Sequence, residues 1–389
     1  MMQPFDIIEI VCYIPIILTV GYIFLFAVIS LLPNRNYEKQ SERRNRFLII
    51  FPAYAEDSVI VNSITTFLKQ DYPTKLYDVV VVSDHMTDET NAMLSALPIR
   101  TLIATYSNSS KAKALQLTID EMTEEYDYVV ILDADNNVKS DFLTTINQYC
   151  APSTIAIQAH RQAKNTNTSV ALLDAVSEEI NNTIFRLAHV KARMSSALIG
   201  SGMCFEYNWF CKHVHLLSTA GEDKELEQQI LIEGRHIKYL DDTPVFDEKV
   251  QSRENFGNQR KRWMAAQISA LQSLGKQLPK AIKEGRIDYV DKFIQQLLLP
   301  RSLCFMLTPI LTILIALLSC SAATKWLLAT TLLFISLLIA IPRKFYNRRL
   351  VMAIISVPGL VFRMMANILH LKGASKNFIH TKHGISDER

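Results

Sequence analysis

The sequence predicts an α/β domain with a mostly parallel sheet, held between membrane helices. Three observations predict it. Apolar residues, 49% of the 389, gather in a run from Ile7 to Leu32 and in a region from about Leu297 to Leu371, leaving a stretch of mixed polarity between them. That stretch alternates short β-branched runs with helix-periodic segments, the pattern of a sheet covered by helices. The runs end in polar and acidic residues, and open α/β sheets bind their ligands at the carboxyl ends of the strands.

The first apolar run is long enough to cross a hydrocarbon core of about 30 Å at roughly 1.5 Å per residue. A cleaved signal peptide fits it poorly, because the first ten residues carry Asp6 and Glu9 and no Lys or Arg, and the run exceeds a usual signal core. Residues 1–34 are therefore expected to form a transmembrane helix. Arg35, Lys39, Arg43, Arg44 and Arg46 crowd its exit, which places the next domain in the cytoplasm, at the plasma (inner) membrane. Residues 286–300 are expected as an interfacial helix around the amphipathic stretch Tyr289–Leu299. Two more spans follow within residues 301–342, at Leu303–Cys320 and Trp326–Ile341. Residues 343–389 then hold the basic cluster Arg343, Lys344, Arg348 and Arg349, one more apolar segment and a tail. Pro358, Arg363, Asn367 and His370 interrupt Leu350–Leu371, so this segment is expected to lie at the interface or re-enter rather than cross.

Composition removes several classes of function. The net charge of +3 is mild. The basic residues flank the membrane segments without interleaved aromatics, which fits lipid headgroups and not nucleic acid. Six cysteines show no CxxC and no metal-ligand spacing, as expected of reduced thiols. The few spans lack paired acids at mid-depth, which speaks against a transporter.

The water-facing domain is expected at residues 43–275, with strands at Phe47–Phe51, Val79–Val82, Ile99–Ala104, Tyr128–Leu132 and Thr154–Gln158. Helices such as Asp57–Gln70 and Lys111–Glu125 separate them. Three strand ends stand out: Pro52-Ala53-Tyr54-Ala55-Glu56, Ser83-Asp84-His85 and Asp133-Ala134-Asp135. Helix capping explains a lone acid such as Glu56 or Asp57 as well as function does. Two carboxylates at i and i+2 on a strand exit can instead converge on a hard divalent cation that neutralises a diphosphate.

Further motifs follow in order: Thr87-Asp88-Glu89-Thr90, Lys111-Ala112-Lys113-Ala114-Leu115, Gly200-Ser201-Gly202, Glu222-Asp223 and Gln259-Arg260-Lys261-Arg262-Trp263. From about Phe47 to Trp263 this order resembles the membrane-bound family-2 glycosyltransferases, the QxxRW branch that includes cellulose, chitin and hyaluronan synthases. The resemblance implies a GT-A-like nucleotide-sugar-binding fold. It implies that Pro52, Tyr54, Glu56 and Asp84 shape the uracil and ribose pocket of a UDP-sugar, that Lys111 approaches the nucleotide, and that Asp133 and Asp135 hold the diphosphate through Mg²⁺ or Mn²⁺. Asp223 would be the general base. Gly202, Glu222, Gln259, Arg262 and Trp263 would serve the acceptor and diphosphate side.

The chemistry calls for these residue types. A sugar hydroxyl is a weak nucleophile, and a carboxylate base is worth roughly 10²–10⁴-fold. Charge on a departing diphosphate is stabilised by a metal and by a cation such as Arg262, and an indole such as Trp263 offers a flat face to a sugar. Taken singly, each motif has a plainer explanation. Glu222-Asp223 could cap the helix-like run Lys224–Ile232, and Gln259–Trp263 could be a basic helix anchored by its Trp. Gly200-Ser201-Gly202 could be a turn with Met203-Cys204-Phe205 packed behind it, and Lys111 and Lys113 could be solvated charges.

The expected activity is inverting transfer from a UDP-sugar to a growing glycan at the cytoplasmic membrane face, with a partner export subunit possible. The alternative is a single transfer to a membrane lipid. A non-catalytic subunit is the third reading, and the presence of Asp84, Asp133, Asp135 and Asp223 argues against it. The tail segment Asn377–His383 resembles a short segment that follows the last membrane element in several of these family-2 enzymes, and if it lies inside it could close over the site.

Overall fold

The computed structural model describes residues 4–33, 39, 43–219, 221–249 and 253–355. It opens with α1 (Pro4–Ile29), and a regular alternation follows: β1 (Phe47–Tyr54), α2 (Ile60–Phe67), β2 (Tyr77–Asp84), α3 (Asp88–Ser95), β3 (Arg100–Ala104), α4 (Lys111–Glu121) and β4 (Tyr128–Ile131). These four strands are mutually parallel in the spatial order β3-β2-β1-β4. The composition of β1 explains its central place. A strand covered on both faces reads as a continuous apolar run, and its side chains alternate between the faces. Phe47, Ile49 and Phe51 meet Ile60, Ile64 and Phe67 of α2, whereas Leu48 and Ile50 meet Leu115 of α4.

The second half adds two reversed strands to a sheet that is otherwise parallel. It contains β5 (Asn137–Val138), α5 (Phe142–Tyr149), β6 (Ala156–Ala163), and α6 (Ser169–Asn182), which runs through a π-helical turn at Thr183–Leu187 into α7 (Ala188–Lys191). Then come β7 (Met203–Glu206), α8 (Tyr207–Val214), α9 (Glu222–Ile232) and β8 (Ile237–Asp247). The eight-stranded sheet runs β3-β2-β1-β4-β7-β6-β8-β5 and is mixed, because β7 pairs antiparallel with both β4 and β6 and β5 pairs antiparallel with β8, while β6 and β8 pair parallel. Met203-Cys204-Phe205 is buried behind the Gly200–Gly202 bend and in addition forms a strand. Four residues are too few to show the period of a strand.

The chain continues through α10 (Arg253–Lys283), α11 (Ile287–Leu297), α12 (Arg301–Leu318), α13 (Cys320–Ala340) and α14 (Arg348–Ile355). Three segments, Ile7–Ile29, Arg301–Leu318 and Ala322–Ala340, are long and apolar enough to cross a membrane. They pack around Ile16, Val20, Cys304, Ile315, Trp326 and Leu333. The last turns of α1 bury Ile23 and Phe26 against Leu172, Ala175 and Ile184, so α1 runs from the bundle into the water-facing domain. The six cysteines are all free. Of Leu350–Leu371 only the stretch to Ile355 is described, and the remainder, with the tail Asn377–His383, lies outside the described residues.

Candidate active site

The sheet brings the strand-end motifs together at its carboxyl edge. Pro52 stands opposite Val82, and Tyr54 opposite Asp84, in the β1–β2 register. The Ala55 amide donates to the Asp84 carbonyl at 2.9 Å. Immediately beyond, Ala55 and His85 both take the left-handed conformation, at φ 51° and 56°. For residues with a Cβ this costs about 1–2 kcal/mol each, and such outliers cluster at ligand sites. The turn holds His85 Nδ1 at 2.5 Å from Asp84 Oδ1 and sets its ring 5.0 Å from that of Tyr54.

Capping does not account for the first acids. The N-cap of α2 is Val59, with no side-chain hydrogen bond. Asp57 instead accepts from the Thr87 amide at 2.8 Å and its hydroxyl at 2.7 Å, tying the β1 loop to the start of α3, where Thr87 is the cap. Glu56 is half-buried beside this tie. Burial pushes its carboxyl up to about 9, reinforced by Asp135, Asp133, Glu248 and Asp57.

Asp133 and Asp135 lie on a tight turn after β4. The Asn136 amide donates to the Asp133 carbonyl at 2.9 Å, and the Asn136 side chain donates to Asp135 Oδ1 at 3.1 Å. Asp135 Oδ2 accepts from the Glu248 amide at 2.6 Å, and the Asp135 carbonyl accepts from the Lys164 ammonium. Lys111, the first residue of α4, is drawn inward, with its side chain 18% exposed. Its ammonium donates to Asp133 Oδ1 at 2.5 Å and to the Gly200 carbonyl at 2.5 Å, and it lies 3.6 Å from Glu222 Oε1. It is therefore no solvated charge. Glu222 and Asp223 occupy the first turn of α9, whose N-cap is Gly221, so neither acid is the N-cap residue itself.

The charges respond to this arrangement. Burial pulls Lys111 down, but Asp133, Glu222 and Asp223 outweigh it and hold the ammonium above its usual range. Burial pushes Glu222 up to about 7 despite the pull of Lys111, since one cation is shared among several acids.

Gly202 sits further back than Gly200. At φ +65° its amide donates to the Ile131 carbonyl and its carbonyl accepts from Ala159, so it joins β4 to β6. A Cβ there would stand 2.9 Å from Val245 Cγ2. Gln259, Arg262 and Trp263 fall on α10, but their side chains lie outside what the structure describes. Two residues that contact the Asp135 turn escape a reading of the sequence, Lys164 and Glu248. Behind them Arg161, Glu178, Asp247 and Lys249 form a buried ionic cluster, with Arg161 Nε 2.7 Å from Glu178 Oε1 and Lys249 Nζ 2.8 Å from Asp247 Oδ1. The acid-bearing strand end Asp247-Glu248 was the available signal.

A mannosyltransferase from Pyrobaculum calidifontis, PcManGT, solved in complex with GDP-Man and Mn²⁺, shares the fold at a TM-score of 0.55 and 17% identity, covering 85% of this chain and 97% of that one. A curated relative, the beta-monoglucosyldiacylglycerol synthase of Synechocystis sp., is 24% identical over 227 residues, 55% of this chain. The match spans 46% of that relative, about half its length. Residues 44–266 match the model described as glycosyltransferase like family 2. That match takes in every strand of the sheet, the Asp133–Asp135 turn and the start of α9, and the chain belongs to the family-2 glycosyltransferases.

Proposed function

We propose that this chain transfers a sugar from a UDP-sugar to an acceptor held at the cytoplasmic membrane face, with inversion at the anomeric carbon. The observation that carries the reading is the Lys111 bridge, which joins the end of β4, the Gly200 loop and the first turn of α9 in one charged centre. Pro52, Tyr54, Glu56 and Asp84 would line the nucleoside pocket. Asp223 would take the proton of the acceptor hydroxyl as its oxygen bonds to the anomeric carbon and the bond from that carbon to the diphosphate breaks.

A divalent cation fits the residues present. Among the described residues no three His, Cys, Asp or Glu side chains gather into a ligand set. Mg²⁺, however, commonly uses one or two carboxylates and completes its shell with phosphate oxygens and water. Asp133 and Asp135 would supply the two carboxylates, and Glu56, pushed up by burial first and by these acids second, lies beside them. When bound, the ion would offset charge on the diphosphate. Lys111 would keep Asp133 and the first turn of α9 in register, and the Glu248 amide would orient Asp135.

For the acceptor, a growing glycan is the reading that the Gln259-to-Trp263 motif supports, within the membrane-bound synthase branch. A specific observation favours a membrane lipid: the Synechocystis relative is named for a glucosyldiacylglycerol product.

Purified protein in lipid nanodiscs, assayed for nucleotide release with a panel of UDP-sugars and with GDP-mannose, in Mg²⁺ or Mn²⁺, tests the proposal. Asp223→Asn is expected to lower kcat roughly 10²–10⁴-fold while donor binding survives. Asp135→Ala is expected to abolish metal-dependent donor binding. A ladder of products selects the glycan, and one lipid adduct selects the lipid. Folded protein that turns over no donor on either acceptor, or an Asp223→Asn variant with full activity, overturns the reading.

A further inference from the structure

Helix α11 is amphipathic in an inverted sense. Asp288, Asp291, Lys292 and Gln295 recur at i, i+3, i+4 and i+7, which places them on one helical face. All four turn toward protein. Asp288 Oδ1 accepts from the Ser195 amide at 3.0 Å, and its Oδ2 lies 2.8 Å from His236 Nδ1. Asp291 Oδ1 accepts from the Tyr22 hydroxyl of α1 at 2.9 Å, and its Oδ2 faces His189 Nε2 at 3.1 Å and accepts from Gln295 at 2.7 Å. Lys292 Nζ lies 2.6 Å from Glu227 Oε1 of α9, with the two side chains 7% and 2% exposed.

The outer face carries the apolar residues. Ile287, Ile294 and Leu297, at i, i+7 and i+10, are 73%, 42% and 56% exposed. A helix on a water-facing surface would turn these residues inward. Its position explains the inversion. The Leu299 amide donates to Thr19 Oγ1 of α1 at 3.1 Å, Asp291 meets Tyr22 one turn further along the same span, and α12 begins at Arg301. The apolar stripe therefore runs beside the level at which α1 and α12 enter the bilayer. An in-plane helix with its apolar side among the acyl chains is the arrangement such a stripe fits.

The inner face of α11 reaches the helix that carries Asp223. Besides the Lys292–Glu227 pair, Tyr289 of α11 packs with Leu231 of α9 and with Leu274 and Ala281 of α10. Glu227 Oε2 also accepts from the Leu198 amide at 3.4 Å, just before the Gly200 carbonyl that receives Lys111. We infer that α11 seats its apolar face in the lipid surface and, through the buried Lys292–Glu227 ion pair, sets the position of α9, so that bilayer contact controls the rate of transfer. Lys292 and Glu227 are positioning residues in this scheme, which rests on the reading of Asp223 as the base. The effect on rate follows because a displacement of about 1 Å at a reacting group can cost on the order of 10²-fold.

Two readouts in nanodiscs test this, and one is independent of turnover. Hydrogen exchange across residues 222–232 is compared with exchange in β1 and β4, and kcat and donor KM are measured alongside. Lys292→Met is expected to speed exchange in α9 about tenfold or more with β1 and β4 unchanged, and to lower kcat about tenfold or more with donor KM within about twofold. The exchanged pair Lys292→Glu with Glu227→Lys should restore part of both. Ile287→Ser with Ile294→Ser should reproduce both effects and add nothing in the Lys292→Met background. Unchanged α9 exchange in Lys292→Met overturns the inference, as does equal loss of protection in β1 and β4. So does protection of the Ile287–Leu297 face that depends on a second copy of the chain and not on lipid. Should wild-type protein turn over no donor, loosened α9 would still support the coupling to position while the proposed reaction failed. Active Lys292→Met with loosened α9 would overturn the link to rate alone.

Discussion

Replacing Lys111 with Met keeps the length of the side chain and deletes its charge, and the consequence should depend on pH. Lys111 serves Asp133, the Gly200 carbonyl and Glu222 together. Removing one partner of a buried pair costs about 3–5 kcal/mol when the remaining charge has no escape. Here there is an escape, because Glu222 already lies at about 7 with the lysine present and can take up a proton. At pH 6 Glu222 is largely neutral in both proteins, and the attraction to the partly exposed Asp133 and the hydrogen bond to the Gly200 carbonyl are lost, about 2 kcal/mol together. Above pH 7 the two diverge. A carboxyl raised in the folded state loses stability as pH climbs from its unfolded value to its folded one, at about 1.4 kcal/mol per unit. Wild-type protein stops losing near pH 7, whereas the variant, with Glu222 higher still, continues. The gap should widen to about 4–5 kcal/mol by pH 9, or ~8–20 °C in Tm for a domain of this size, against ~4–8 °C at pH 6. Melting curves in nanodiscs at the two pH values measure it. Lys111→Met with Glu222→Gln should remove the pH dependence without restoring nucleotide release. A Tm gap that is equal at both pH values, or smaller at pH 9, would refute the argument that Lys111 and Glu222 share a proton-linked site.

The glycines and the buried ionic cluster give further tests. Gly202→Ala should cost about 2–4 kcal/mol, combining left-handed strain with a Cβ 2.9 Å from Val245 Cγ2, while Gly200→Ala, with Glu222 Oε1 3.7 Å from its Cβ, should cost only the strain of about 1–2 kcal/mol; melting curves separate them. Lys249→Met leaves Glu178 and Asp247 against Arg161 alone and should cost about 3–5 kcal/mol, partly recovered by adding Glu178→Gln; unfolding that is indifferent to the second change would show that the cluster is not a coupled unit.

The half of the fold that is legible in the sequence is the half whose strands are continuous apolar runs. Phe47–Phe51 and Val79–Val82 are buried on both faces, so no polar residue interrupts them. Of the second half the run Thr154–Gln158 anticipates only the start of β6, and the remainder is hidden for physical reasons. β8 contains Asp241, Asp242, Thr243 and Pro244, and its pairing with β6 slips at Ala159/His160, so neither a period nor an apolar run survives. The β5 strand is only Asn137–Val138. The acids after β4 stand out because two carboxylates follow four apolar residues. Lys111 does not, because a lysine at a helix start is ordinarily solvated and only the carbonyl of Gly200, far along the chain, gives it an inward destination. Lys164 and Glu248 are harder still: Glu248 acts on Asp135 through its backbone amide, which no residue type announces.

The two charged systems of the domain differ in balance, and the difference bears on what each can do. Arg161 and Lys249 face Glu178 and Asp247, two cations against two anions, with the side chains at most 12% exposed. Such a set is balanced in formal charge, although burial still pushes Asp247 up to about 7 against the pull of Arg161 and Lys249, and its effect is geometric. It fixes the end of β8 on β6 and α6, and that end presents the Glu248 amide to Asp135. The strand-end site is unbalanced in comparison. Glu56, Asp133, Asp135, Glu222 and Glu248 gather with Lys111 and Lys164, and burial together with neighbouring acids pushes Glu56 up to about 9. An excess of carboxylates that protons must relieve is where an added cation stabilises most. On the proposed reading, a divalent ion and its diphosphate would enter as one unit and discharge that excess. Helix α6 contributes Glu178 to the neutral set and also ties to the membrane side, with Glu179 3.0 Å from Lys344 and Asn181 accepting from Arg301 at 2.7 Å. The balanced set is thus fastened to the spans through α6, and the Glu248 amide and the Lys164 ammonium carry its position to the Asp135 turn, where the cation would bind.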